Sequence, residues 1–365
     1  MFLSSSSHIL TALYELGFSL DTIAWFLSYL SNRSQSILDD HGTPIQLLTT
    51  SSGPSQGSVL GPILFLIVIN SVVRWLIYCK HGLFADDTYI YQHFFIHQFE
   101  EAVRQVNLDA QSIANSANAH GLELNLSKTK AMILGSNGRL RQLQEFDSKK
   151  ICIVILYIDS VKCLGVYIDR SLSWNTHVSQ VVRKVNSALH CLKVRKNIFT
   201  KELRKILVTA TILPLLDYCS AVLVDATAEK DRKLQHALNA SIRFIFDLRR
   251  DVHISPYRKD LSWLSVKYRR MYFMTCLLYK LLSVGKPNYL RNLFVKEADI
   301  RRSDRLAAKK HTSFELPRFT KTYLEHSFLV IVIRVWEELP SDIVNSDSLE
   351  VFRNKVFDYF LELDF

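Results

Sequence analysis

Asp86-Asp87 is the pair best suited to chemistry in this 365-residue sequence. The two carboxylates stand at a bend in Gly82-Leu83-Phe84-Ala85-Asp86-Asp87-Thr88-Tyr89-Ile90-Tyr91, where flanking aromatic and β-branched residues predict strand, turn and strand. A hard cation such as Mg²⁺ takes carboxylate oxygens and leaves its remaining positions to water and phosphate. Nucleotidyl transfer needs such ions to activate the attacking hydroxyl and steady the leaving phosphate. A tight hairpin would hold the carboxylates rigidly for that work. By itself the pair is no more than turn chemistry, because Asp is a favoured turn residue.

The second candidate is a stretch of positive charge. Lys and Arg number 45 against 35 Asp and Glu, a net of +10. Residues 141–270 hold 24 basic and 12 acidic residues, while 1–140 hold 7 and 10. A basic segment of this kind suits an acidic polymer or an anionic membrane surface. Its clusters are Arg183-Lys184, Lys193–Lys196, Lys201–Lys205, Lys230–Lys233, Arg249-Arg250 and Lys267–Arg270, all at helical spacing. Lys230, Arg232 and Lys233 lie off the apolar stripe of their helix and are candidate contacts to nucleic acid, where neutralised phosphates release counterions. The competing reading is that these are solvated helix faces.

Six cysteines lack C-x-x-C or zinc spacing, which predicts reduced, mostly buried thiols in an intracellular protein. Met1–Leu20 lacks a basic n-region and Ser4–Ser7 interrupts it, so no signal peptide is expected. The apolar run Ile63–Cys79 is short for a membrane span and contains Asn70, Ser71 and Arg74. A buried core helix is expected there, and no membrane segment.

The elements that must carry these residues follow from periodicity. Residues 9–31 predict helix broken at Gly17, with Ser19 and Asp21 offering an N-cap. Residues 32–50 predict a hairpin turning at Asp39-Asp40-His41-Gly42. Pro62 suits a first helical turn. Residues 98–120 predict an amphipathic helix through Phe99, Val103, Val106, Ala110, Ile113 and Ala117. Gly121–Leu134 alternates, turns and becomes β-rich, while Ile151–Ile158 and Val161–Ile168 predict a strand pair split at Asp159-Ser160. From Leu172 to about residue 285 the chain reads as helix, with Leu234, Leu238, Ile242, Ile245 and Phe246 on one face of residues 229–248.

Several short stretches then occur in a telling order. They are Gly53-Pro54-Ser55-Gln56-Gly57-Ser58-Val59-Leu60-Gly61-Pro62, Phe84-Ala85-Asp86-Asp87, Gly121–Lys130, and Lys162–Asp169 with Leu172, Trp174 and His177. Leu213-Pro214-Leu215-Leu216-Asp217-Tyr218 and then Trp336, Leu339 and Pro340 follow. Together they resemble the reverse transcriptases of non-LTR retrotransposons, particularly jockey-like lineages. The matching family patterns are Gly-Val-Pro-Gln-Gly-Ser-Val-Leu-Gly-Pro, Tyr/Phe-Ala-Asp-Asp, Gly-Leu-x-Leu-Asn-x-x-Lys-Thr-Lys, and a primer-grip Lys-x-Leu-Gly-x-x-x-Asp.

The resemblance implies RNA-directed DNA synthesis, with an RNA template and a DNA primer as partners and Mg²⁺ as cofactor. It makes Asp86 a metal ligand and Asp87 a weaker or second one. Gln56, Gly57 and Ser58 would line the template and nucleotide pocket. Lys128 would meet nucleotide phosphates, unless it is a solvated turn lysine. Leu164 and Gly165 would support the primer end. Phe84 and Ala85 would pack under the primer terminus, although core packing explains Phe84 as well.

Departures from the family pattern are equally informative. Its first catalytic box, Phe-x-x-x-x-Asp-x-Val-x-His, would end at His8, yet no acidic residue precedes Glu15. Ser55 stands for the usual Pro, and Ser71 for the Asp of Ile-Asn-Asp. The expectation is an N-terminally truncated, decaying copy, or a gene model that begins mid-domain, and a chain that is inactive because the other essential Asp is missing. The alternative is a catalytically inert nucleic-acid-binding protein. The expected fold is α+β: a palm remnant over 1–170 with an antiparallel sheet and helices, an all-α basic thumb over 171–255, and a mostly helical region over 256–365. The expected location is nucleus or cytoplasm, and the oligomeric state is left open.

Overall fold

Helix α1 (Ser6–Glu15) stops just before Gly17, whose φ of +82° suits a residue without a Cβ. Ser19 then opens α2 (Leu20–Leu30) by accepting a hydrogen bond from the Thr22 N–H on its Oγ, at 3.3 Å. In the computed structural model, residues 6–45, 48–50, 57–143, 157–295, 314–318 and 322–365 are described. They divide into two compact units between Asp159 and Ser160. The fold is α+β. Its strands form three separate two-stranded antiparallel ribbons among the described residues, rather than one larger sheet.

In the front unit, β1 (Arg33–Gln35) pairs with β2 (Leu48–Thr50) around a turn in which Asp39 Oδ1 accepts from the N–H groups of His41 and Thr43. Helix α3 (Gly61–Val72) carries Pro62 in its first turn, where the missing N–H costs nothing. The apolar run expected as one buried helix is shorter and more exposed than that. The helix ends at Val72, and Ile63, Leu66, Trp75 and Ile77 remain 43–79% exposed. Ribbon β3–β4 (Lys80–Phe84 and Asp87–Tyr91) follows, then α4 (Phe99–Ala119) and α5 (Asn137–Leu143). Among the described residues this unit buries three small apolar clusters. Ile9, Leu13, Leu30, Leu64 and Val68 form one, Ile69, Val72, Ile113 and Ala117 the second, and Phe99, Ile133, Leu140 and Leu143 the third.

The rear unit opens with β5 (Ser160–Cys163) and β6 (Val166–Asp169), which pair across Leu164-Gly165. The stretch 161–168, expected as a single strand, is instead split into a tight hairpin within 160–169. Tyr157 instead makes a parallel bridge to Ala131, and residues 151–156 lie outside the described residues. Helices α6 (Asn175–Val194), α7 (Lys201–Thr211), α8 (Leu213–Asp217), α9 (Ala228–Phe246), α10 (Ser255–Asp260) and α11 (Val266–Val284) follow. The expected apolar stripe of α9 is present, since Leu234, Leu238, Ile242 and Ile245 are at most 2% exposed. Two large clusters hold this unit. One gathers α6 to α9 around Val185, Leu238 and Ile242, and the other joins α11 to the helices Phe328–Glu338 and Leu349–Asp364 around Leu278, Trp336 and Phe352. Burying each Leu, Ile or Phe contributes about 1.5–3 kcal/mol, and among the described residues the two rear clusters bury more such side chains than the three front ones. No helix among the described residues is long and apolar enough to cross a membrane.

Candidate functional site

In ribbon β3–β4 the register runs from Lys80↔Tyr91 to Phe84↔Asp87, so the chain reverses on Ala85 and Asp86 alone. Ala85 has φ +51°, a left-handed conformation costing about 1–3 kcal/mol in a residue with a Cβ, which the tight turn enforces. Asp86 and Asp87 are both exposed. Asp87 Oδ2 accepts from the Tyr89 hydroxyl at 3.3 Å. Phe84 is 62% exposed, so core packing does not account for it.

The root of this ribbon is held by Asp109, a residue the sequence reading overlooked. It sits in α4 with 1% exposure. Its Oδ1 accepts from the Ile77 N–H at 3.1 Å, and its Oδ2 from those of Tyr78 and Cys79 at 2.9 and 2.6 Å. Burial pushes the Asp109 carboxyl upward, but the N–H groups of Ile77, Cys79 and Tyr78, with the Cys79 thiol, outweigh it and hold the group below its ordinary value. On Cys79, burial and then the Asp109 carboxylate raise the thiol to about 12, so it stays protonated. A signal for Asp109 existed. It falls in the stripe Ala102, Val106, Asp109, Ile113, Ala117, where a carboxylate is out of place unless backbone N–H groups meet it.

Lys128 is exposed on a turn built by Asn125. Asn125 Oδ1 accepts from the Ser127 hydroxyl at 2.7 Å and from the Lys128 N–H at 3.1 Å, and its carbonyl accepts from the Thr129 hydroxyl at 2.9 Å. The asparagine of the Asn-x-x-Lys pattern thus shapes the loop that displays the lysine. Gly57 is exposed, and the half-buried Ser58 accepts from the Gly61 N–H at 3.1 Å on its Oγ, just ahead of α3. Gln56 lies outside the described residues. No hydrogen bond among the described residues joins Asp86 or Asp87 to Gly57, Ser58 or Lys128. The His8 ring lies 5.2 Å from the His120 ring; burial, then the charge of His120, lowers the His8 pKa.

The carboxylates of Asp86 and Asp87 are donors of the type Mg²⁺ takes. Among the described residues, however, no group of three His, Cys, Asp or Glu is assembled that could hold a metal.

The rear unit carries the remaining candidate positions. Leu164 (φ +45°) and Gly165 (φ +86°) form the β5–β6 turn, with positive φ at both central residues as a tight hairpin favours. Tyr218 Oη donates to the Leu164 carbonyl at 2.6 Å. The neighbouring Cys219 thiol raises the Tyr218 phenol above its ordinary value, so it stays a donor. Asp169, 8% exposed, accepts from the Ser173 hydroxyl at 2.9 Å and the Thr176 N–H at 3.3 Å, pinning β6 to the start of α6. Buried His177 accepts from the Tyr167 N–H on Nδ1 at 3.4 Å, and its Nε2 has no hydrogen-bond partner. Burial, followed by the charge of Lys184, lowers its pKa against the opposing pull of Asp169.

The basic residues divide by role. Lys230 is buried rather than presented, correcting its expected place off the stripe; four residues before Leu234, it shares the inner face, and its Nζ donates to Thr227 Oγ1 at 3.3 Å. Arg232 is exposed, and Lys233 pairs with Glu229 at 2.7 Å on the surface. Other cations are spent inside the fold, in the pairs Arg258–Asp364, Arg269–Asp217 and Arg270–Asp231. A groove of about 860 Å³ beside the later turns of α9 is lined by Lys193, Lys196, His236, Asn239, Arg243 and Arg250, among others.

Residues 13–168 match the family model of the reverse transcriptase (RNA-dependent DNA polymerase). The match, under half of the chain, begins in α1 and ends in β6. It takes in Gly57, Ser58, the Asp86-Asp87 turn, Lys128 and Leu164-Gly165, and supports a reverse-transcriptase segment there. It leaves out Lys230, Arg232 and Lys233. A comparison with curated proteins finds no match.

Proposed function

We propose that this chain carries palm and thumb elements of a non-LTR retrotransposon reverse transcriptase, of the jockey-like type, and that the 365-residue chain binds nucleic acid without polymerising. The observation that carries this reading is the Phe84-Ala85-Asp86-Asp87 ribbon tip: two exposed carboxylates on a two-residue turn, inside the segment similar to reverse transcriptase. In this reading residues 1–170 are palm, 171–255 thumb and 256–365 a C-terminal helical region. Asp86 and Asp87 are the metal-facing carboxylates, with Mg²⁺ as the ion. Gln56, Gly57 and Ser58 line the nucleotide pocket, Lys128 meets phosphate, and Leu164-Gly165 supports the primer.

Two metals need carboxylates from separate elements to bridge them, and the ribbon supplies one side only. The partner of the rear unit is nucleic-acid backbone, RNA or DNA, bound without sequence preference. Exposed Arg232, together with Lys193 and Arg250 of the groove, takes over the role expected of Lys230. The test pairs two assays on the full chain: deoxynucleotide incorporation on a primed RNA template with Mg²⁺ or Mn²⁺, and a salt titration of binding to duplex and single-stranded oligonucleotides. The expected outcome is no incorporation, with binding that weakens as salt rises at a log–log slope of about −0.9 per duplex phosphate contacted. Incorporation that vanishes in Asp86→Asn would overturn the inactive reading. Binding indifferent to salt would overturn the nucleic-acid role.

A further inference from the structure

We propose that Tyr218 is a positioning residue that holds the Leu164-Gly165 turn in place for a primer end. This rests on the reading of that turn as the primer-supporting element. Tyr218 follows α8 and reaches back across 54 residues of sequence to hydrogen-bond the Leu164 carbonyl at 2.6 Å. Its ring also fills the space beside Gly165: a Cβ there would lie 3.0 Å from Cε1, 3.3 Å from Oη and 3.4 Å from Cζ. Glycine at 165 is therefore required twice, by its φ of +86° and by the tyrosine ring. The grip is on the backbone alone. The Leu164 side chain stays 38% exposed and available to a ligand.

The clamp is itself anchored. Asp217 is held by the Arg269 guanidinium of α11, with Nε donating to Oδ1 at 2.7 Å. Beyond β6, Trp174 Nε1 donates to Asp225 at 2.6 Å. The stretch from Asp217 to Asp225 thus holds the ribbon turn at Leu164 and the start of α6 at Trp174. A two-stranded ribbon is marginal alone, so such ties decide where its turn sits. Tyr218 belongs to neither apolar cluster of the rear unit. Removing its hydroxyl should loosen the turn and leave those cores intact.

The experiment uses the full chain and an RNA-template–DNA-primer duplex with a recessed 3′ end, against a blunt duplex of the same sequence. A photoreactive thymidine at the primer 3′ end reports what it touches. The unsubstituted chain should crosslink within residues 160–169. Tyr218→Phe should weaken recessed-end binding by up to about tenfold, the range of one hydrogen bond, and reduce that crosslink. Blunt-duplex affinity and the thermal unfolding profile should not move. Gly165→Ala, which presses a methyl on the ring and strains a backbone at φ +86°, should lower recessed-end binding and the crosslink with the hydroxyl present, together with a shift in thermal unfolding. A crosslink in the unsubstituted chain that persists, with unchanged affinity, in both variants would overturn the positioning role. Equal losses on both duplexes would mark Tyr218 as merely structural and overturn it too. Absence of the crosslink in the unsubstituted chain would overturn the primer reading itself, and the proposal with it.

Discussion

Replacing Asp109 by Asn should unlock the root of the acidic ribbon. The carboxylate collects three backbone N–H groups, from Ile77, Tyr78 and Cys79, at a site 1% exposed. An asparagine keeps the shape but offers one acceptor oxygen and an NH₂. Whichever way the amide turns, at least one buried N–H faces another donor. One unsatisfied group costs about 1–3 kcal/mol, and the bonds that remain fall from the charged range of about 1.5–3 to about 0.5–1.5 kcal/mol. A net local loss of about 2–4 kcal/mol follows from these terms. At 1.4 kcal/mol per tenfold, amide exchange at residues 77–79 should rise roughly 30- to 700-fold. Hydrogen exchange read by mass spectrometry at neutral pH measures this, with the buried turns of α9 as an internal reference. Cys79 should also react faster with thiol reagents, because one cause of its raised pKa is gone. The pH dependence has a definite sign. The folded carboxyl lies below its ordinary value, so its contribution is complete above that value and is lost as pH falls through the folded one. Asp109→Asn should abolish that acid-side loss. Unchanged exchange at 77–79 would refute the account of Asp109 as the anchor of the ribbon.

Two further outcomes concern the rear unit. His177 is held below its ordinary 6.5 by burial, so the unfolded chain binds the proton first and stability should fall as pH drops from 6.5 toward the folded value. His177→Gln should flatten that slope in urea titrations, and an equal slope in both proteins would contradict it. Arg258 and Asp364 pair with side chains only 10% and 7% exposed, so Arg258→Ala strands a buried carboxylate at a cost of about 3–5 kcal/mol. Urea unfolding followed by circular dichroism reads this, and a loss of the size typical of surface pairs would contradict it.

The order of chemical motifs and most regular elements were legible in the residues alone. Ser19 and Gly17 marked a helix junction, the alternation around Asp86-Asp87 marked a ribbon, and the stripe of α9 marked its inner face. These rest on local physics, in which caps, turns and periodicity act within a few residues. What distance along the chain brings together was not legible. Asp109 meets Cys79 across 30 residues, and Tyr218 meets Leu164 across 54. No periodicity reports such pairings, because both partners satisfy their own local patterns. The fate of each positive charge was likewise a tertiary matter. Lys230 and Arg270 share the sign and helical setting of Arg232, yet the first is buried beside Thr227 and the second pairs with Asp231, while Arg232 is exposed. Charge counts set how strongly the segment attracts an anion, but which cations face solvent depends on packing, since burial is tolerated only where a partner waits.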